Sequence, residues 1–178
     1  MRGSRFESTS DAELVSAIAA GDTQALHALY LRHVGWLSVR LGRRCSDRAV
    51  VDEATQDTFV AVWKGASRYD GRGEVAAWIW GIGIRRLVDR FRRRRLPLWR
   101  LGDRDEAPSA EEQVLIGIEH GDLGWAMDHL SPELRAVIRA TVLDGLSTRE
   151  AAVLLGIPAG TVKTRLMRAR RQLRESLT

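Results

Sequence analysis

Helix-start signals recur along this chain, whereas strand signals are nearly absent. Ser10 and Ser147 each stand three residues before a glutamate, which is the capping-box pattern of a helix N-terminus. Ser131 and Pro132 form a pair typical of an N-cap and a first helical residue, and we expect that helix to run to residue 142. Apolar residues recur at helical spacing between these signals, so the sequence predicts an all-α fold.

Two blocks of opposite charge divide the chain. Residues 85–95 carry seven arginines against a single acid, and residues 103–122 carry seven acids against a single arginine. The second block also contains one proline and two glycines, a composition typical of a flexible linker. We therefore predict two small helical domains joined by a flexible acidic linker, with bounds at residues 1–95, 96–122 and 123–178.

The charge of the predicted linker suggests a means of restraint. We hypothesise that residues 103–122 fold back on the arginines of residues 90–95, or on the basic C-terminal helix, and mask them in the free protein. Because salt screens such contacts, masking should weaken as the ionic strength rises.

Residues 147–173 have the pattern of a helix-turn-helix. Such a motif needs two short helices that cross at a tight turn with small residues at their contact, and Ala151, Ala152 and Gly156 meet this need. The second helix carries six basic residues and has no acid before Glu175. A solvated basic face on a surface helix would explain the charge alone, but the combined pattern favours DNA binding.

Composition restricts the classes of function that remain. The formal net charge is +5, a mild indication of a polyanionic partner. Cys45 is the only cysteine and the four histidines lack ligand spacing, so we expect neither a disulfide nor a metal site, and no cofactor. No nucleophile–base arrangement or phosphate loop indicates an enzyme. Since the N-terminus is polar and no long apolar run occurs, we expect a cytoplasmic protein without membrane insertion.

Motifs along most of the chain resemble one family. Residues 130–135 (LSPELR), 145–152 (GLSTREAA) and 160–170 (GTVKTRLMRAR) resemble region four of extracytoplasmic-function sigma factors. Residues 52–59 (DEATQDTF) resemble the polymerase-binding helix of region two, and residues 78–90 (WIWGIGIRRLVDR) resemble its promoter-melting helix. The resemblance implies a group of the sigma-70 family that has regions two and four only.

The resemblance also implies partners and site residues. The partners are core RNA polymerase (the clamp helices of its largest subunit and the flap region), promoter DNA and an anti-sigma factor. The residues expected to bind polymerase are Asp52, Glu53, Gln56 and Asp57. Those expected at the minus-ten element, for promoter recognition and melting, are Tyr69, Arg72, Arg85, Arg86 and Arg90. Those expected at the minus-thirty-five element are Thr161, Lys163, Thr164, Arg165 and Arg168.

Two departures from the family pattern concern the minus-ten element. Arg85 aligns with a position where the family usually has asparagine, and Val75 stands where a phenylalanine is usual. Both leave the minus-ten sequence open. We expect Trp78 and Trp80 to belong to the core, because the helix that carries them is apolar on several sides.

Two other readings compete with a sigma factor. An autonomous repressor or activator would need only the C-terminal helix-turn-helix, and it would leave the acids of residues 52–57 and the arginines of residues 85–95 without a role. A nucleic-acid hydrolase would need a catalytic arrangement, and no such pattern is present in the sequence.

Overall fold

The computed structural model describes residue 6, residues 8–94 and residues 126–176. The chain splits into two compact units, Met1–Arg94 and Arg95–Thr178. The described residues contain no β-strand, and the all-α prediction is confirmed. None of the helices in these ranges is long and apolar enough to span a membrane. The linker predicted at residues 96–122, together with its hypothesised fold-back, lies outside the described residues.

The described part of the first unit contains four α-helices: α1 (Asp11–Ala19), α2 (Thr23–Gly42), α3 (Arg48–Gly65) and α4 (Val75–Arg94). The side chain of Ser10 accepts a hydrogen bond from the backbone N–H of Glu13, and the Glu13 carboxylate accepts one from Ser10, so the capping box at α1 is confirmed. Asp22 and Asp47 are the N-caps of α2 and α3. Each side chain accepts hydrogen bonds from two backbone N–H groups of the first turn.

The core of this unit lies where α3 and α4 form the most extensive helix contact of the described residues. Leu29 and Leu37 of α2, Val62 of α3, and Ile79 and Leu87 of α4 are fully buried there. Burial of these side chains supplies the main favourable contribution to folding. The contact therefore fixes how α4 lies against α3.

The second unit contains α5 (Pro132–Ile138), a π-helical turn (Arg139–Leu143), α6 (Thr148–Leu155) and α7 (Ala159–Ser176). Leu130, Leu134, Ile138 and Ala169 form a buried apolar cluster that joins α5 to α7. This cluster seats α7 and leaves its basic side in solvent.

The expected start of α5, with Ser131 at the N-cap and Pro132 at the first helical position, is confirmed, but its expected end was wrong. The α-helix ends at Ile138 and not at residue 142, because the backbone N–H of Asp144 donates to the carbonyl of Arg139, five residues back. Ser131 occupies the N-cap position, but its side chain makes no capping hydrogen bond. Hydrogen bonding to its own backbone N–H, and secondarily to Ser131, lowers the pKa of the Glu133 carboxyl.

Candidate nucleic-acid interface

The acids of α3 divide into two groups in the structure. Asp52 and Gln56 are exposed, and Glu53 and Asp57 are half-buried on the flank that faces α4. The exposed stripe continues along α3 to Val60 and Trp63, at spacings of four and three residues. Trp63 is 36% exposed. The two exposed polymerase-binding candidates, Asp52 and Gln56, therefore lie next to an exposed apolar surface.

Arg90, expected at the minus-ten DNA, lies instead against two of the polymerase-binding candidates. Its Nη1 is 2.7 Å from Oε2 of Glu53, its Nε is 3.1 Å from Oδ2 of Asp57, and its Nη2 also contacts Oδ2 of Asp57. We call these three residues the ion triad. The hydrogen bond to Asp57, chiefly, raises the pKa of Arg90, although partial desolvation opposes the shift. The guanidinium therefore remains protonated at any pH at which the protein is folded.

Two arginines of α4, Arg85 and Arg92, lie on a different side of the helix from Arg90. Arg85 and Arg92 are exposed, with Trp78 and Asp89 half-exposed beside them. We call these four residues the exposed arc of α4. Arg85 donates a hydrogen bond to the carbonyl of Gly81 at 2.9 Å, which holds its guanidinium close to the helix.

Arg86 and the two core tryptophan candidates have different surroundings. Arg86 is half-buried at the edge of the exposed arc. Trp80 is buried, as expected, and the guanidinium of Arg40 lies 4.3 Å from its ring centroid. The prediction was wrong for Trp78, which is half-exposed on the side of Arg85. Trp78 lies near the start of α4, five residues after Gly73, where solvent reaches its ring. The apolar character of the sequence alone did not indicate this exposure.

The loop before α4 brings a second aromatic ring to Trp78. The ring centroids of Tyr69 and Trp78 are 5.0 Å apart, and the Tyr69 hydroxyl donates to the carbonyl of Gly73 at 2.7 Å. Gly71 and Gly73 both have positive φ, which closes this turn at little steric cost. Arg72 is exposed, with its Nε 3.8 Å from Oδ2 of Asp70. The loop therefore presents an arginine and an aromatic pair on the approach to α4.

In the second unit, the turn between α6 and α7 has the geometry of a helix-turn-helix. The side chain of Ser147 accepts from the backbone N–H of Glu150, and the Glu150 carboxylate accepts from Ser147, which confirms the capping box of α6. Gly156 ends α6 with φ of 64°, in the left-handed region. Val162 and Ala169 are fully buried and fix the rotation of α7. The predicted capping box at Ser147 and the predicted turn at Gly156 are confirmed.

The five minus-thirty-five candidates do not share one face of α7. Thr161, Thr164, Arg165 and Arg168 lie on one side, whereas Lys163 lies about 140° around the axis from Arg168 at 3.6 residues per turn. Lys163, Thr164 and Arg168 are exposed, and Thr161 and Arg165 are half-buried. The Thr164 hydroxyl donates to the carbonyl of Gly160 at 3.0 Å, so its lone pairs face outward.

Sequence reasoning missed two further residues on this surface. Met167 is 67% exposed between the sides that carry Lys163 and Thr164, and its spacing of three residues from Thr164 is the signal that could have found it. Arg171 lines an open groove of about 320 Å³ between α5 and α7, together with Arg165, Arg168 and Glu133. The outer basic residues of such a helix can hold phosphate oxygens while the residues near its N-terminus reach base edges. In residues 8–94 and 126–176, no group of acids, histidines and cysteine could hold a metal ion.

Known proteins share both units. Residues 29–96 match the family model for sigma-70 region 2, and residues 121–173 match the model for sigma-70 region 4. The chain is 34% identical over 180 residues to the ECF RNA polymerase sigma factor SigM of Mycobacterium tuberculosis, an alignment that covers 96% of this chain and 86% of that protein.

Two more comparisons concern a sigma factor from Cupriavidus metallidurans. The chain is 33% identical over 175 residues to the RNA polymerase sigma factor CnrH of that organism, with 92% of each protein covered. A solved structure of CnrH in complex with the cytosolic domain of CnrY is 29% identical, with a TM-score of 0.41 and coverage of 94% of this chain and 96% of that one. The two region models and the identity to SigM and CnrH over nearly the full length show that this chain belongs to the extracytoplasmic-function family of RNA polymerase sigma factors.

Proposed function

We propose that this chain binds core RNA polymerase and directs it to a set of promoters, with the first unit opening the minus-ten DNA and the second unit reading the minus-thirty-five element. The observation that carries the proposal is the division of the first unit into two exposed surfaces. One is the stripe of Asp52, Gln56, Val60 and Trp63 on α3, and the other is the exposed arc of α4. An autonomous DNA-binding regulator would need neither surface.

The α3 stripe suits a protein partner of basic charge. Asp52 and Gln56 offer exposed acceptors, and Val60 and Trp63 offer apolar area beside them. Interfaces commonly combine an aromatic anchor with a polar rim. By family resemblance, the partner is the clamp coiled coil of the largest polymerase subunit. The flap region, which the resemblance also implies, would bind the second unit.

The loop and the exposed arc suit single-stranded DNA. Opening a duplex requires that a displaced base and its phosphates be held, and aromatic rings with neighbouring arginines provide both interactions. Tyr69 with Trp78 supplies the rings, and Arg72, Arg85 and Arg92 supply exposed charge. We assign minus-ten binding to these residues.

The α7 helix suits the major groove of duplex DNA. Thr161, Thr164 and the arginines at 165 and 168 would enter from one side, with Lys163 meeting the groove from the other. The structure supports this assignment through the buried anchors of α7, which leave this surface exposed.

Three further points follow from family membership. Sigma factors are not an enzyme family, and we propose no catalytic activity. We propose that the chain acts in the cytoplasm, where core polymerase and promoter DNA meet. We also propose that an anti-sigma factor restrains it.

The test is co-purification of the full chain with bacterial core RNA polymerase, followed by transcription from a pool of random promoter fragments. Stable association and initiation downstream of a shared motif would support the proposal. Asp52→Arg should weaken the association, because it reverses charge on the α3 stripe. Glu74→Arg, a charge reversal at an exposed residue of the same unit outside the α3 stripe, serves as the matched control. Tight duplex binding without polymerase association would favour an autonomous regulator.

A further inference from the structure

The ion triad joins the two functional surfaces of the first unit. Arg90 of α4 binds Glu53 and Asp57, which stand 37 and 33 residues before it on α3. The side chains of Arg90, Glu53 and Asp57 are 25%, 39% and 39% exposed. A guanidinium that contacts two carboxylates at once has a defined orientation, because its donors lie in a rigid plane.

Arg90 does not face the same way as the exposed arginines of its own helix. At 3.6 residues per turn, Arg90 lies about 140° around the axis of α4 from Arg85. To reach DNA that contacts Arg85, its side chain would have to leave both acids and cross to the other side of the helix. Breaking partly buried charged hydrogen bonds opposes such a movement.

We propose that Arg90 is a positioning residue, which couples the polymerase-binding helix α3 to the DNA-facing arc of α4 and does not itself contact promoter DNA. This role rests on the proposed function. Through Arg90, the docking of polymerase on α3 sets the orientation of Arg85 and Arg92. The acids of the triad remain with Arg90 when polymerase binds. Polymerase meets the exposed Asp52 and Gln56, which flank the triad on the solvent side of α3.

The two possible roles of Arg90 differ in how promoter binding depends on salt. Each phosphate contact that a protein makes releases counterions, so log K falls as log salt rises. The loss of one contact lowers the magnitude of this slope by about 0.9 for duplex DNA and by about 0.7 for single strands. A positioning residue makes no phosphate contact, so its removal leaves this slope unchanged. Removal of Arg90 should instead slow promoter opening, because the exposed arc of α4 is then no longer held in a fixed position relative to α3 on the polymerase.

The experiment compares two arginines of α4 in reconstituted holoenzyme on a promoter that the wild type opens. Arg90→Gln should leave the salt slope of promoter binding unchanged and slow opening by about tenfold, a factor equivalent to about 1.4 kcal/mol. The matched control is Arg92→Gln, two residues further on, whose side chain is 58% exposed. This control should lower the magnitude of the salt slope by roughly the amount that corresponds to one lost phosphate contact.

A charge swap tests the coupling directly. Asp57→Arg combined with Arg90→Glu keeps two acids and one arginine in the triad, and it should restore opening to within about threefold of wild type, although each single variant is slow. Recovery is not expected of a residue that touches DNA. A swap that stays as slow as the single variants would overturn the proposal, as would a lowered salt slope for Arg90→Gln.

Arg90→Lys decides the matter if Arg90→Gln fails to fold. Lysine keeps a charge that can meet a phosphate but lacks the planar fork that holds two carboxylates. Slow opening by this variant would support the positioning role, and wild-type opening would contradict it. If the wild-type chain does not join polymerase at all, both the proposed function and this role are wrong. Normal wild-type initiation with a lowered slope for Arg90→Gln contradicts this role alone.

Discussion

At Gly83, α4 packs closely against α2 and α3. A Cβ at this position would lie 2.9 Å from Cδ1 of Leu37, 3.4 Å from Oγ1 of Thr58 and 3.8 Å from Cδ1 of Leu41. All three neighbours are fully buried, and the Thr58 hydroxyl is held by the carbonyl of Ala54 at 2.7 Å. We predict that Gly83→Ala is less favourable than the same change at Gly35, an exposed residue inside α2.

The size of the difference follows from two effects. Alanine is favoured over glycine in a helix interior by about 1 kcal/mol, and this gain applies at both positions. At Gly35, no atom of the described residues beyond its chain neighbours and its own helix backbone would come within 4 Å of the new methyl group. At Gly83, the methyl would lie about 0.6–1.1 Å inside the optimal carbon–carbon separation. Overpacking of this kind costs about 1–3 kcal/mol, which is therefore the expected difference between the two variants.

Amide hydrogen exchange of the full-length protein measures this difference. A melt of the whole chain would mix two units and need not be two-state, whereas exchange reports the opening free energy of α3 and α4 separately. Gly35→Ala should raise that free energy by about 0.5–1 kcal/mol, and Gly83→Ala should leave it unchanged or lower it by up to about 2 kcal/mol. Equal stabilisation by both variants would refute the close packing of α4 at Gly83.

Four other predictions concern caps, charge and DNA contacts. Ser147→Ala removes one half of the capping box and should lower the opening free energy of α6 by about 0.5–2 kcal/mol, as measured by amide exchange. Gly156→Ala places a side chain at φ of 64° and should cost about 1–2 kcal/mol in the same assay. Burial alone would raise the pKa of Asp11, but hydrogen bonds from Arg32 and His33 outweigh it and lower this pKa below its ordinary value of 3.8. The stability that these contacts contribute is present above pH 3.8 and is lost as the pH falls through the lowered pKa. The urea midpoint of the first unit should therefore change less between about pH 5 and about pH 2 in Asp11→Asn than in the wild type. Lys163→Ala removes a proposed base contact and should weaken binding of the upstream promoter element by about 1–3 kcal/mol, with core polymerase affinity unchanged in the same preparations.

Local signals in the sequence predicted the helices well. A capping box depends on side chains three residues apart, so Ser10 and Ser147 could be identified without tertiary information. The turn at Gly156 is local in the same sense, because its positive φ reflects a residue that lacks a Cβ. The π-helical turn after Ile138 was not predictable, since α- and π-helical turns differ in hydrogen-bond partner and not in residue pattern.

The partner of Arg90 could not be predicted from the same patterns. The sequence showed acids on α3 and arginines on α4, and it offered no way to tell which arginine faced inward. That choice depends on the rotation of α4, which the packing of Leu87 and Gly83 against the other helices decides. The site predictions at residues 161–168 remain predictions for a related reason: exposure shows which side chains are accessible, but not which bases they meet.

The rotation of α4 also explains why Arg85 and Arg92 form a usable DNA surface. Gly83 and Arg90 are seven residues apart, or about 10.5 Å along the axis, and they lie within about 20° of one another around it. Arg85 and Arg92 have the same separation, and they lie about 140–180° around the axis from these two anchors. Close packing at one anchor and the ion triad at the other both resist rotation of the helix. Two contacts at different heights on one side of α4 therefore hold two arginines at matching heights on the other side, where displaced promoter DNA would pass.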